Sequence, residues 1–122
     1  MIVLSSNQPT FMDVDDTLIK WSPTFEEECE FGVPFAFDYG DGKGIIKGIV
    51  VPHRVHVQQL KKHALRGHTV FLWSAGGELW CSAVAKALGL EEYVSYCMAK
   101  PTWAYDDKQA NDFIKTQYME DE

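Results

Sequence analysis

The chain has no C-x-x-C pair, no basic face and no long apolar run, and each absence excludes something. Cys29, Cys81 and Cys97 are odd in number and scattered, which points to reduced thiols in a cytosol-like compartment. No stretch approaches the roughly 20 apolar residues of a membrane span, so no membrane partner is expected. The opening Met1-Ile2-Val3-Leu4-Ser5-Ser6 lacks the basic and apolar regions of a secretory signal, and a cytoplasmic protein is expected. Positive charge is scarce: the net charge is −7 and the chain ends Glu120-Asp121-Glu122. Phosphate neutralisation supplies most of the affinity of duplex-binding proteins, so nucleic acid is not expected as a standing partner. A local patch from Lys43, Lys47, Arg54 or Lys61 is the one route back to a nucleic-acid end.

What is present is an ordinary globular composition, 46% hydrophobic and 24% charged over 122 residues. That length suits one domain, residues 1–122, with little room for a second. Pro9 to Val14 reads as a first strand. Val33 to Tyr39 and Ile45 to Val51 flank the glycine-rich Gly40-Asp41-Gly42-Lys43-Gly44, which is a hairpin signal. A helix is expected from Pro52, with Val57, Leu60 and Ala64 on one face, until Gly67. His68 to Ser74 reads as a buried strand. Gly76-Gly77 leads into a helix bearing Leu79, Trp80, Ala83, Val84, Ala87 and Leu88, ended by Gly89. Tyr93 to Met98 and Thr102 to Tyr105 are further strands, and a last amphipathic helix is expected from about Asp107 to Tyr118. Alternating strands and helices imply right-handed crossovers and a parallel sheet, an α/β fold.

The most informative string is Asp13-Val14-Asp15-Asp16-Thr17. Side chains two apart on a strand share a face, so Asp13 and Asp15 crowd one pocket. Their repulsion calls for a shared proton or a hard cation such as Mg2+. Asp-rich turns are also common for local hydrogen-bonding reasons, so the string alone does not establish chemistry. Ligands of parallel sheets bind outside the carboxyl ends of the strands. Asp13/Asp15, Ser74, Lys100 and Asp106/Asp107 all fall at such ends, from four separate segments.

These residues resemble the haloacid dehalogenase superfamily, in its phosphatase branch. Asp13-Val14-Asp15-Asp16-Thr17 is similar to the first motif and Val70-Phe71-Leu72-Trp73-Ser74 to the second. Lys100-Pro101 is similar to the third, and Asp106-Asp107 after Trp103-Ala104-Tyr105 to the acidic fourth. The resemblance implies a three-layer α/β/α Rossmann-like fold with a central parallel sheet and a β-hairpin flap at about 33–51. It implies a Mg2+-dependent phosphomonoester hydrolase. Asp13 would be the nucleophile, forming an aspartyl-phosphate, and Asp15 the general acid and base. Mg2+ would be held by Asp13, the backbone carbonyl of Asp15, and Asp106, with Asp107 in support. Ser74, the amides of Ala75 and Gly76, and Lys100 would bind the phosphoryl group of an unidentified phosphorylated substrate. An acid two residues after the nucleophile favours phosphate chemistry over dehalogenation. Only five residues separate Lys100 from Asp106, a short spacing that leaves Lys108 as a competitor for the third-motif role. A phosphotransferase would look identical, and a non-catalytic metal- or phosphate-binding protein is the rival from another class.

Other residues carry weaker signals. Thr17 and Trp21 follow the first motif closely and are candidates to contact substrate, Trp21 together with Phe25. Phe35, Phe37 and Tyr39 alternate on the hairpin, either packing on the domain or forming a homodimer surface. His53 and His56, at i and i+3, read as a solvated helix face rather than a metal pair. His63 and His68 flank the helix end, where polar or cationic groups suit the dipole. Trp73 and Trp80 read as core. Glu26-Glu27-Glu28 reads as solvated, and Cys29 has no flanking base to activate it.

Overall fold

The computed structural model describes residues 7–22, 32–40, 42 and 44–118. Expectations for Phe25, Glu26–Glu28, Cys29, Asp41, Lys43 and residues 119–122 lie outside the described residues. The elements run β1 (Thr10–Asp13), β2 (Ile19–Ser22), β3 (Val33–Asp38), β4 (Ile45–Pro52), α1 (Arg54–Leu65), β5 (Val70–Ser74), α2 (Glu78–Ala87) and β6 (Tyr96–Ala99). Short 3-10 turns occupy Glu91–Tyr93 and Ala110–Asp112. The molecule is a mixed α/β protein with one parallel and one antiparallel sheet.

The parallel sheet has order β1-β5-β6, with Asp13 opposite Trp73 and Trp73 opposite Met98. Both steps move in the same direction, so right-handed crossovers put both connecting helices on one face. Leu60 of α1 and Trp80, Cys81, Val84 and Ala85 of α2 are buried in one cluster with Val70 and Leu72 of β5. The other face carries a cross-strand row of stacked rings, Phe11 on Phe71 at 4.6 Å and Phe71 on Tyr96 at 5.2 Å. This row is half exposed, with Tyr96 at 60%.

The antiparallel sheet has order β2-β4-β3. The hairpin expected at 33–51 is present as β3 and β4, paired from Val33–Val50 to Asp38–Ile45. Gly40, Gly42 and Gly44 all have positive φ at its tip, a conformation glycine adopts without steric cost. Phe35 and Phe37 are buried against Trp80, so the alternating aromatics pack on the domain. Strand β2 was not evident from the sequence. Its Ile19-Lys20-Trp21-Ser22 is too short for alternation to register, and tertiary pairing with β4 makes it a strand.

Several expectations are corrected. Pro52 closes β4 rather than opening a helix, and α1 begins at Arg54 with His53 as its N-cap. In α2 the buried stripe is Trp80, Cys81, Val84 and Ala85, while Leu79 is exposed. Thr102–Tyr105 forms no strand and 107–118 no α-helix. Every residue from Pro101 to Tyr118 is exposed, Trp103, Tyr105 and Phe113 included. An amphipathic pattern yields a stable helix only when its apolar face is buried, and short helices are marginal without that packing. No described helix is long and apolar enough to cross a membrane.

Candidate active site

The first motif folds as a tight turn directly after β1. The Val14 carbonyl accepts hydrogen bonds from the amides of Thr17, Leu18 and Ile19, and the Asp16 amide donates to the Ile19 carbonyl at 2.8 Å. This closure forces Asp16 to φ 61°, a left-handed conformation costing an L-residue about 1–3 kcal/mol, which Asp tolerates better than most. Val14, Leu18 and Ile19 are fully buried. At roughly 1.5–3 kcal/mol for each such side chain, their burial offsets the strain.

Helix α1 clamps the same turn. The His53 amide donates to the Leu18 carbonyl at 2.8 Å. His56 Nδ1 lies 2.8 Å from the Thr17 carbonyl, and because a carbonyl only accepts, this nitrogen carries the proton. His53 Nδ1 accepts from the His56 amide, and the two rings stack at 4.0 Å. Both histidines are buried, so the expected solvated face is corrected: they brace the Val14–Ile19 turn. Their spacing was visible in the sequence, but their facing the turn depends on where the helix starts.

Three strand ends converge on the two carboxylates. From β6, Lys100 brings Nζ to 3.8 Å from Asp13 Oδ1, with both side chains partly exposed. Thr17 Oγ1 donates to Asp13 Oδ2 at 3.3 Å. From β5, Ser74 Oγ donates to Asp15 Oδ2 at 3.1 Å while accepting the Gly76 amide at 2.9 Å. The Lys100 amide donates to the Ser74 carbonyl at 2.9 Å, which ties β6 to β5 at this rim. From α2, Trp80 Nε1 donates to Asp15 Oδ1 at 3.2 Å. Trp80 therefore belongs both to the core, as the sequence suggested, and to the site, which it did not suggest. An indole N–H needs a partner when buried, and that was the available signal.

The expected residues fall into two groups. Asp13, Asp15, Thr17, Ser74, Gly76 and Lys100 are brought together, with Ala75 exposed in the turn beside them. Trp21 stands one ring away, edge-on to Trp80 at 5.7 Å. Asp106 and Asp107 are not assembled with them. Among the described residues no group of three His, Cys, Asp or Glu side chains is placed to hold one metal ion. Asp106 is exposed and accepts the Lys108 amide at 3.0 Å. That bond, followed by one from the Asp107 side chain, holds its carboxyl below the usual value. The Lys108 backbone amide belongs to this local turn, and Lys100 is the lysine beside Asp13.

The two described thiols, Cys81 and Cys97, are not activated as nucleophiles. Burial, then neighbouring Cys97, pushes the Cys81 thiol up to about 12, although its contact with the Met98 carbonyl acts the other way. Burial and the charge of Glu78 also raise Cys97. The thiolate is the reactive form, so both are inert near neutral pH. A cavity of about 260 Å³ bordered by Ser82, Glu91, Tyr96 and Cys97 contains none of the candidate residues.

Mg2+ binds through one or two carboxylates, keeps several waters and takes further oxygens from a phosphorylated ligand. Asp13 is one such carboxylate, partly exposed at the rim. Asp106 and Asp107 stand outside it in this conformation. No protein-family model, curated protein or solved structure matches the chain.

Proposed function

We propose that the chain is a Mg2+-dependent phosphomonoester hydrolase of the haloacid dehalogenase type, with Asp13 as nucleophile. Its parallel sheet, with both helices on one face, would then be a reduced version of that three-layer α/β/α architecture that lacks the second helical layer among the described residues, with β3 and β4 as the flap. The observation that carries this reading is the paired environment of the two carboxylates. Asp13 lies against a cation and a hydroxyl, whereas Asp15 lies against two hydrogen-bond donors. Two like groups in different surroundings are suited to different roles, one to attack and one to move protons.

In this mechanism an Asp13 oxygen attacks phosphorus in line with the leaving oxygen, and the P–O bond to the leaving group breaks. Lys100 neutralises charge on Asp13 and on the transferring phosphoryl group. Asp15 gives its proton to the leaving oxygen and then takes one from the water that attacks the aspartyl-phosphate. Ser74 is positioned to turn its hydroxyl from Asp15 to a phosphate oxygen, with the Gly76 amide fixing its oxygen. Bound Mg2+ would supply Lewis-acid neutralisation between an anionic nucleophile and an anionic substrate.

That Asp106 and Asp107 stand apart from Asp13 favours a second reading, a metal- or phosphate-binding protein with little turnover. Phosphate release from a panel of phosphomonoesters, with and without Mg2+, decides between them. The hydrolase reading expects Mg2+-dependent release that vanishes in Asp13→Asn. Mg2+ binding without release from any member would favour the second reading. Acceptor-dependent transfer products would identify a phosphotransferase.

A further inference from the structure

Resting on the hydrolase reading, we propose that Trp80 is the positioning residue of the acid–base Asp15 and couples it to the flap sheet. Trp80 occupies a junction. Its Nε1–H reaches Asp15 Oδ1 at 3.2 Å. Its ring meets three others edge-on: Phe35 at 5.2 Å, Phe37 at 5.4 Å and Trp21 at 5.7 Å. Those rings come from β3 and β2, so one indole joins the antiparallel sheet to a carboxylate at the rim of the parallel one.

Two features make this more than a packing contact. The donors on Asp15 are both buried, Ser74 at 1% and Trp80 at 6% exposure, and each takes a different carboxylate oxygen. Together they hold both oxygens of the carboxylate, and the Trp80 N–H is the donor that remains when the Ser74 hydroxyl turns to substrate. Indole is also a donor only, whereas a serine hydroxyl can donate or accept. Trp80 thus keeps the Asp15 carboxylate in place at the rim.

Gly76 completes the arrangement. A Cβ there would lie 3.2 Å from Trp80 Cγ and Cδ1 and 3.3 Å from Ser74 Oγ, against both donors to Asp15. A side chain at this turn would crowd the indole and the hydroxyl by a few tenths of an ångström where they approach the same carboxylate.

Trp80→Phe keeps a ring for the aromatic cluster and deletes the N–H. An alkyl phosphate needs its leaving oxygen protonated, whereas p-nitrophenyl phosphate scarcely does. The expected result is a kcat loss of roughly tenfold or more on the alkyl ester, with a much smaller loss on the nitrophenyl ester and little change in KM. Equal losses on both esters would reduce Trp80 to a packing residue and overturn the proposal. The indole N–H resonance, identified by its disappearance in Trp80→Phe, gives a readout that needs no turnover. Asp15→Ala leaves the core intact, and it should shift that resonance and speed its exchange with solvent. An unmoved resonance would overturn the coupling. If the wild-type protein hydrolyses no phosphomonoester, the hydrolase reading fails by itself, and the resonance still decides whether Trp80 holds Asp15.

Discussion

Two acidic stretches of this chain look alike in sequence and differ in the folded molecule. Asp13–Asp16 sits in a turn with three buried apolar residues beneath it, two buried histidines behind it, and donors from three other segments in front. Asp106–Asp107 sits on an exposed run, where the Asp106 and Asp112 carboxylates accept amides of nearby residues in the same run. Both stretches can make local turn hydrogen bonds, so local chemistry does not separate them. What separates them is the apolar residues alongside. Val14, Leu18 and Ile19 bury completely and carry their aspartates to a defined place, whereas Trp103, Tyr105 and Phe113 remain in solvent.

The contrast can be broken by substitution. Asp13→Asn should remove roughly a thousandfold or more of the Mg2+-dependent phosphate release, because no other group replaces the nucleophile. Steady-state assays check this, and comparable activity would return the two stretches to equal standing. Leu72→Ala, under the first stretch at the centre of β5, should cost about 2–5 kcal/mol in urea unfolding. His56→Ala should cost about 1–3 kcal/mol by orphaning the Thr17 carbonyl, and it should depress activity as the turn loosens. By contrast, Asp106→Asn should leave the melting temperature unchanged, because that carboxylate is fully exposed and supports no packing.

The smallest effect sharpens the comparison through pH. His63 is held below its ordinary value of 6.5 by burial, then by His68 and Arg66. Between that ordinary value and the lowered folded one, the unfolded chain binds more protons than the folded one. Stability is therefore intact above about 6.5 and declines as pH falls through the folded value. His63→Gln should flatten that slope in urea titrations at stepped pH.

The legible parts of the molecule were those fixed by local pattern. Alternating Phe35 and Phe37, the glycine-rich tip and the apolar run Val70–Leu72 each identify an element without knowledge of its neighbours. The strand-end rule likewise brought Asp13, Ser74 and Lys100 to one rim. Strand β2 exists because β4 pairs with it, so four residues of sequence could not announce it. Two roles depended on which side of a helix meets the site. His53 and His56 face inward because α1 starts at Arg54, and Trp80 reaches Asp15 from the first turn of α2, where a side chain at Gly76 would crowd it. The helical pattern at 107–118 failed for the opposite reason: an apolar stripe with no surface over it stays unfolded as a helix.

The central claim is that Asp13 carries the phosphoryl group. Acid-quenched single turnover with the best substrate, followed by mass spectrometry of the peptide containing Asp13, tests it most directly. The account predicts a phosphoryl group on Asp13 that accumulates and decays in the wild-type protein and is absent from Asp13→Asn. Turnover with no phosphorylated Asp13 at any time point would contradict it.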